Sequence, residues 1–421
     1  MDSKYITIFG SYNSGSIGDK AILVSLLDLL FRVADFPIKI NVVAFNPEAI
    51  EAEIKVFPWS PSVYVCSIFL ITQENNEQRP PNKKKICTSK ILKWIPDHFK
   101  DKIKNMLFLL GVNNLLHQDL ADESDLLIIG GGNLLMDLYT RWPIYPYFVA
   151  KQFIEQKKPV VIAGIGAFPI KTRMGKFLLK RLVEFAGTSV FVRDTETEKY
   201  IISTWGLQAR HHPDFAFSYP SETFNAMRQK DKKVVAVNVA PVFGSNWPYR
   251  DRAKYKNFIE GFVENLFYLQ TSIDEKVDLF FFDTNYPTDR LGTLEVIEGL
   301  KGLGIEKDSL IYEDRIYHSQ EIIKKLNFAD FTIVTRLHAG LLALKSGSPI
   351  LAVSYQPKVK NIMNDIDMAE CVVDARDIGN FKSKIDQIRQ KPQNFRLSKA
   401  RLSTLDRDNI KVVKQILSLL D

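Results

Sequence analysis

The feature that most narrows the fold is an alternation, met twice along the chain, of short β-branched or apolar runs with longer amphipathic stretches. In the first half, strands are predicted at 5–9, 40–45, 125–129, 159–163 and 188–192, and helices at 19–33, 144–157, 173–186 and 195–204. Such alternation argues for a parallel sheet flanked by helices. A polar stretch from Ser221 to Lys233 follows, and the pattern then restarts. Its strands are predicted at 234–239, 277–282, 331–334 and 350–353, its helices at 252–270, 288–301, 319–327 and 338–346. The fold class is therefore α/β, with two Rossmann-like domains facing across a cleft: 1–225, 226–395, and a C-terminal helix in 396–421 that packs back across them. Residues 60–120 interrupt the alternation and are expected to form an insertion, part basic loop and part helix (Leu92 to Leu110).

A chain of 421 residues, 46% apolar and 25% charged, can bury sizeable cores. No apolar run reaches the ~18 to 20 residues of a membrane helix; Val63 to Ile71 reads as a strand or short core helix. The opening Met1-Asp2-Ser3-Lys4 leads directly into Tyr5 to Phe9 without a targeting segment, which predicts a cytoplasmic location. The three cysteines, Cys66, Cys87 and Cys371, form no CxxC pair, so neither a disulfide framework nor a cysteine zinc site is indicated. Residues 79–104 carry nine Lys/Arg against two acids, a surplus that equals the whole formal charge of +7. That segment is either a solvated loop or a peripheral contact for an anionic membrane surface or polyanion at the inner face of the membrane. Nucleic acid is not an expected partner, because no binding motif or aromatic interleaving accompanies the charge.

Chemistry-bearing residues sit where predicted strands end, which in an open α/β sheet is where ligands bind. Thr335-Arg336-Leu337-His338 follows an apolar strand and opens a helix. An arginine there can clamp a carboxylate or phosphate, and a histidine can move a proton. Gly15-Ser16-Ile17-Gly18-Asp19 opens the first long helix, and its backbone amides suit an anion; the competing reading is a tight turn with Asp19 as the N-cap. It is neither a dinucleotide fingerprint nor a P-loop. Gly130-Gly131-Gly132-Asn133 follows another strand, and its glycines let the backbone press against a ligand. Arg193-Asp194 is either a surface pair capping a helix or a cleft arginine. His211-His212-Pro213-Asp214 looks like a metal cluster, but adjacent strand residues face opposite ways and no second cluster completes a site, so no metal is expected. Tyr355 and Lys358 lie in the last strand-to-helix loop, Lys358 being either a solvated helix-start residue or a further cation for an anionic ligand. Arg336, Arg193 and Lys358 with His338 fit a phosphorylated, carboxylated small substrate handled by acid–base chemistry without a metal.

These segments, in this order, resemble the polysaccharide pyruvyl transferase family. The matching elements are Gly18-Asp19 with Ala21-Ile22-Leu23, Gly130 to Asp137, Arg193-Asp194, Pro213-Asp214-x-Ala216-Phe217, Arg336-Leu337-His338 and Ser354-Tyr355-x-Pro357-Lys358. Ser16 and Lys20 depart from the family pattern, as does the basic stretch 73–104. The resemblance implies a fold like the two-domain (GT-B-like) sugar-nucleotide glycosyltransferases. It also implies transfer of pyruvate from phosphoenolpyruvate, the donor substrate, to a sugar of a cell-surface polysaccharide or its lipid- or nucleotide-linked precursor, with no further cofactor. On that basis His338 is the expected general acid and Arg336 its catalytic partner. Arg193, Lys358, Tyr355, Gly15, Ser16, Gly18, Asp19, Gly131, Gly132, Asn133 and Asp214 are the expected substrate-binding residues. Two other classes compete: a glycosyltransferase with a nucleotide-sugar donor, which an acidic residue gripping ribose after the Arg-Leu-His helix would favour, and a non-catalytic homologue, against which the presence of Arg336 and His338 together speaks.

Overall fold

The computed structural model describes residues 3–12, 15–67, 120–139, 141–221, 232–244, 250–272, 277–377 and 381–421. Two sheets organise them. The first holds β1 (Lys4–Phe9), β2 (Ile38–Ala44), β3 (Val63–Ser67), β4 (Leu126–Gly130), β5 (Val160–Ile165), β6 (Val190–Val192) and β7 (Arg210–His211), in the order β3-β2-β1-β4-β5-β6-β7. The second holds β8 (Lys233–Asn238), β9 (Val277–Phe281), β10 (Leu310–Tyr312), β11 (Phe331–Val334), β12 (Ile350–Ser354) and β13 (Val372–Asp374), in the order β10-β9-β8-β11-β12-β13. All strand pairs are parallel. Strands β4, β5, β6, β11 and β12 are buried along their whole length. Helices cover both faces of such sheets, so these strands read as continuous apolar runs rather than alternations.

In the first half the helices are α1 (Ile17–Val33), α2 (Pro47–Ile54), α3 (Ile144–Glu155), α4 (Arg173–Ala186) and α5 (Thr195–Tyr200), the last continuing as a π turn through Ile201–Trp205. The second half carries α6 (Arg252–Thr271), α7 (Thr288–Gly302), α8 (Ser319–Asn327), α9 (Leu337–Ser346), α10 (Pro357–Asp365) and α11 (Phe381–Gln390), and α12 (Lys399–Leu417) follows. The predicted bounds of α4, α8 and β11 coincide with those observed. One expectation changes: Val63–Ser67, placed in the insertion, is the edge strand of the first sheet. The predicted helix at Leu92 to Leu110 and the basic segment 79–104 lie outside the described residues.

Between Ile17 and Leu30 only Asp19 and Asp28 of α1 are not buried. A helix apolar on every face has neighbours on every face, and α1 packs on its own half, on α8 and α9 of the second, and on α12. The terminal helix is held to the first half by Arg32 Nη2–Asp406 Oδ1 (2.8 Å) and Arg210 Nη1–Gln415 Oε1 (3.2 Å). Backbone bonds also join the halves, from Ile17 N to Thr284 O and from Tyr286 N to Gly15 O, both 2.9 Å.

A buried ion cluster ties the two halves together. Lys20 Nζ lies 3.1 Å from Glu53 Oε2, with both side chains almost wholly buried. Glu53 also accepts from Ser319 N (2.8 Å) at the start of α8 and lies 3.1 Å from His318 Nδ1. Burial opposes its ionisation, but His318, Lys20 and Ser319 outweigh that and lower the carboxyl pKa to about 2. The hydrogen bond to Glu53 raises the His318 pKa. The Glu53 contribution to stability is thus present above the ordinary carboxylate range and lost as pH falls through about 2. That of His318 is present below the ordinary imidazole range and lost as pH rises through its raised value. Glu53→Gln should lower unfolding free energy by about 3–5 kcal/mol, since it strands a buried Lys20. Urea unfolding at neutral pH measures this, and a wild-type midpoint would show that the cluster does not hold the halves.

Candidate active site

In each sheet the strand order reverses at one place, between β1 and β4 in the first and between β8 and β11 in the second. Crevices open outside the carboxyl ends of strands at such points. The sequence-predicted residues come from the loops at these two points and from neighbouring strand ends.

In the second half, Asn238 at the end of β8 organises the exit from β11. Its Oδ1 accepts from Arg336 N (3.1 Å) and its carbonyl from Thr335 Oγ1 (3.1 Å), turning the chain into α9, of which His338 is the second residue. Arg336 donates through Nε (2.9 Å) and Nη2 (2.7 Å) to Asp289 Oδ1. The other oxygen of Asp289 accepts from Thr284 N (3.1 Å) and Asn285 N (3.0 Å). Burial disfavours the Arg336 charge, but Asp289 and Tyr355 beside it more than restore it and raise its pKa. Arg336 is thus a cation locked by a buried carboxylate and by Tyr355. Sequence reading missed Asp289, whose only signal was a carboxylate shortly after a strand end.

Across the cleft, Arg193 leaves the end of β6. It is not part of a surface pair: its side chain is 2% exposed, while Asp194 separately caps α5 by accepting from Thr197 N (2.8 Å). Arg193 Nη1 donates to Asp214 Oδ2 at 3.0 Å and lies 3.1 Å from His338 Nε2. A guanidinium can only donate, so in this contact Nε2 is the acceptor. Asp214 Oδ2 stands 3.7 Å from Nε2, too long for a hydrogen bond but close enough to attract a proton there. Burial opposes the Asp214 charge, yet the Arg193 guanidinium and the Ala216 backbone N–H overcome it and hold its carboxyl below the usual range. Expected as a substrate ligand, Asp214 is buried and acts through Arg193 and His338.

His212 is a hydrogen-bonding residue of the core. Its Nε2 accepts from Gly164 N (3.1 Å), and its Nδ1 faces Asn409 Oδ1 (3.0 Å) on α12. Burial lowers its pKa to about 4, so it stays neutral. Asn409 also donates to the Asp214 carbonyl (3.3 Å), so the terminal helix fixes the loop that carries Asp214.

The glycines earn their places by close approach. A Cβ on Gly18 would stand 2.2 Å from His338 Nδ1, and one on Gly132 would stand 2.9 Å from Asp19 Oδ1. Gly131 and Gly132 also take φ of 83° and 75°, the left-handed region where glycine carries no penalty. Ser16, not Asp19, caps α1, accepting from Asp19 N at 3.3 Å. Gly15 and Ser16 serve the junction of the halves, Ser16 bridging to Asn285. Asn133 Nδ2 donates to Phe168 O (2.6 Å), bracing the loop after β5.

Lys358 is the second residue of α10 and is partly buried. It has no hydrogen-bond or ion-pair partner among the described residues. Burial, then Arg193 and Arg336, lower its pKa to about 8 against the pull of Asp19. Three cations from both halves therefore share one region, Arg193 touching His338 and Lys358 within electrostatic reach of Arg193 and Arg336, and among the described residues Lys358 is the one of the three without a paired carboxylate. The N-termini of α9 and α10, without side-chain caps, add partial positive charge.

Two parallel Rossmann-like halves with a cationic site between their switch points define a GT-B-type protein, and solved structures agree. A UDP-GlcNAc 2-epimerase from Neisseria meningitidis bound to UDP-GlcNAc matches with TM-score 0.54 at 11% identity, over 99% of this chain and 100% of that one. The Methanocaldococcus jannaschii UDP-GlcNAc 2-epimerase gives 0.55 at 10% identity, over 98% and 99%. An α,α-trehalose 6-phosphate synthase from Burkholderia multivorans gives 0.55 at 13% identity, over 100% and 98%. At these identities the likeness concerns the fold. The family itself is shown by the match of residues 63–357 to the Polysaccharide pyruvyl transferase family model: this chain is a member of that family. The matched span contains the glycine-rich loop, Arg193, Asp214, Arg336, His338 and Tyr355.

If Lys358 is an anion ligand, sulfate, whose own charge is constant here, should bind about tenfold more weakly at pH 9 than at pH 7. Lys358→Gln should bind it weakly at both. Calorimetric titration reads this directly, and wild-type affinity that ignores pH would remove Lys358 from the site.

Proposed function

We propose that this transferase uses phosphoenolpyruvate as donor and forms a pyruvate ketal on a sugar of a cell-surface polysaccharide or its lipid- or nucleotide-linked precursor. The observation that carries the reading is the gathering of Arg193, Arg336 and Lys358 in the region of His338, with carboxylates matched to the first two and, among the described residues, none to the third. A donor with one carboxylate and one phosphate suits that surplus. The UDP-sugar chemistry of the fold neighbours carries no argument here, because their identity to this chain is too low.

In the proposed reaction His338, as imidazolium, gives a proton to the methylene carbon, and the enol π electrons form the new C–H bond. The adjacent carbon becomes electrophilic and a sugar hydroxyl attacks it. The bond to the phosphate oxygen breaks, phosphate leaves, and a second hydroxyl of the same sugar closes the ketal. Of the two hydroxyl protons, one passes to the departing phosphate and the other to the neutral imidazole, which restores the acid. Arg336, fixed by Asp289, and Lys358 keep the donor's anionic ends in register while charge moves.

Phosphate release from phosphoenolpyruvate across a panel of sugar acceptors is the test, and no acceptor-dependent release with any of them would refute the donor. His338→Ala should lower kcat by about 10²- to 10⁴-fold with an unchanged circular-dichroism spectrum; activity within a few-fold of wild type would remove its role. Arg336→Lys should be nearly as damaging as Arg336→Ala, because an ammonium cannot reproduce two donors aimed at Asp289. Wild-type activity in Arg336→Lys would reduce that arginine to a bare charge.

The proposal extends to a cytoplasmic enzyme that meets its acceptor at an anionic membrane surface through Lys83, Lys84, Lys85 and Lys90. Among the described residues no helix is long and apolar enough to cross a membrane. Changing these four lysines to Gln should weaken binding to anionic vesicles at low salt and leave turnover on a small neutral acceptor unchanged. Vesicle binding that is absent from the wild type, or equal in both, would remove this part.

A further inference from the structure

We propose that Arg193 gates the proton on His338, so that the imidazole becomes an acid only when a donor anion occupies the guanidinium. This rests on the reading of His338 as general acid and adds what charges it.

The resting arrangement contains the gate. Arg193 Nη1 gives one N–H to Asp214 (3.0 Å) and points the other at His338 Nε2 (3.1 Å). An imidazolium in this position would set N–H against N–H. The ring cannot retreat, because Gly18 of α1 lies so close that even a methyl group there would meet Nδ1 at 2.2 Å. Charging His338 therefore requires Arg193 to move. The guanidinium has a reason to do so: its Nε is buried without a hydrogen-bond partner among the described residues. A buried donor left unmade is costly, and an incoming anion would supply the missing acceptor.

The charges balance on both sides of the switch. At rest, Arg193 is neutralised by Asp214, and Nε2 holds its lone pair toward the guanidinium. When an anion takes Arg193, a solvent proton adds to the Nε2 lone pair and Asp214, 3.7 Å away, becomes the partner of the imidazolium. The other charged groups around His338 are Arg336 on its own turn, Asp19 of α1 beyond Gly18, and Lys358 of α10. Arg336 is matched by Asp289 throughout. Lys358 lies within electrostatic reach of Arg193 and Arg336, and the same donor would neutralise it. The donor thereby creates the acid that will protonate it, and the empty enzyme holds no acid to spend on water.

The test follows the ring proton itself, independently of turnover. In protein labelled with ¹³C-histidine, the Cε1 resonance of His338, assigned by its loss in His338→Gln, is titrated between about pH 5 and 9. This is done alone, with saturating sulfate to stand for the phosphate end of the donor, and with pyruvate for the carboxylate end. One of the two anions should move the midpoint of protonation upward by about one pH unit, a tenfold change in proton affinity; the one that does identifies the end of the donor that sits on Arg193. Arg193→Gln should titrate at the higher midpoint without any anion and ignore both. If that variant does not fold, Arg193→Lys, which keeps the charge beside Asp214 but lacks the fork, should show a reduced response. A midpoint indifferent to both anions in the wild type, or a wild-type response in the arginine variants, would overturn the gate. Failure of phosphoenolpyruvate turnover would instead refute the donor assignment and leave this measurement standing.

Discussion

The buried pair between Arg193 and Asp214 is the contact on which the site depends. Two charges taken from water are costly, and they persist only where their remaining hydrogen-bonding capacity is met. Here Asp214 Oδ1 accepts from Ala216 N (2.9 Å) and its carbonyl accepts from Asn409, while Oδ2 takes the arginine. The pair thus draws together the end of β6, the loop after β7 and the C-terminal helix. His338, from the other half, completes it. The geometry of the candidate acid is consequently set by three segments that share no local sequence.

A second constraint is the steric fit around α1. Its first turn lies against His338, its body is buried by α8, α9 and α12, and the residues just before it pair with 284–286 through backbone bonds. A glycine at position 18 lets two helix N-termini, each at a switch point of its own sheet, come within contact distance. The cleft is narrow there because no side chain separates them. The ion cluster of Lys20, Glu53 and His318 lies along the same junction and fixes α2 to the start of α8.

The site was legible in part. Glycine after an apolar strand and an arginine or histidine at a strand end carry a positional meaning that any parallel α/β sheet imposes, so His338, Arg336, Arg193 and the glycine loops could be read directly. Their partners could not. Asp289 and Asp214 are carboxylates in ordinary polar surroundings along the chain, and nothing local states that one will lock Arg336 or that the other will share Arg193 with His338. Ser16 rather than Asp19 caps α1, because the helix begins at Ile17, two residues before the predicted start. His211-His212 had the look of ligands, yet His212 is turned inward to Gly164 and Asn409, a role visible only once α12 is in place.

Periodicity determined the element types and most of their bounds, because helix and strand each impose a short-range pattern that the chain must satisfy wherever it lies. It failed for short strands such as β7, β10 and β13, whose two or three residues are too few to show a period, for β3, whose apolar run could equally have been a helix, and for the helices α2 and α11, which were not predicted. Charge and motif determined that an anion and a proton-transfer group belong at the strand ends. The tertiary structure alone decided which cations are already neutralised, which nitrogen of His338 faces Arg193, and that Lys358 is left unmatched among the described residues. Those are properties of distance and burial between residues far apart in sequence, and only closure of the two halves around α1 and α12 creates them.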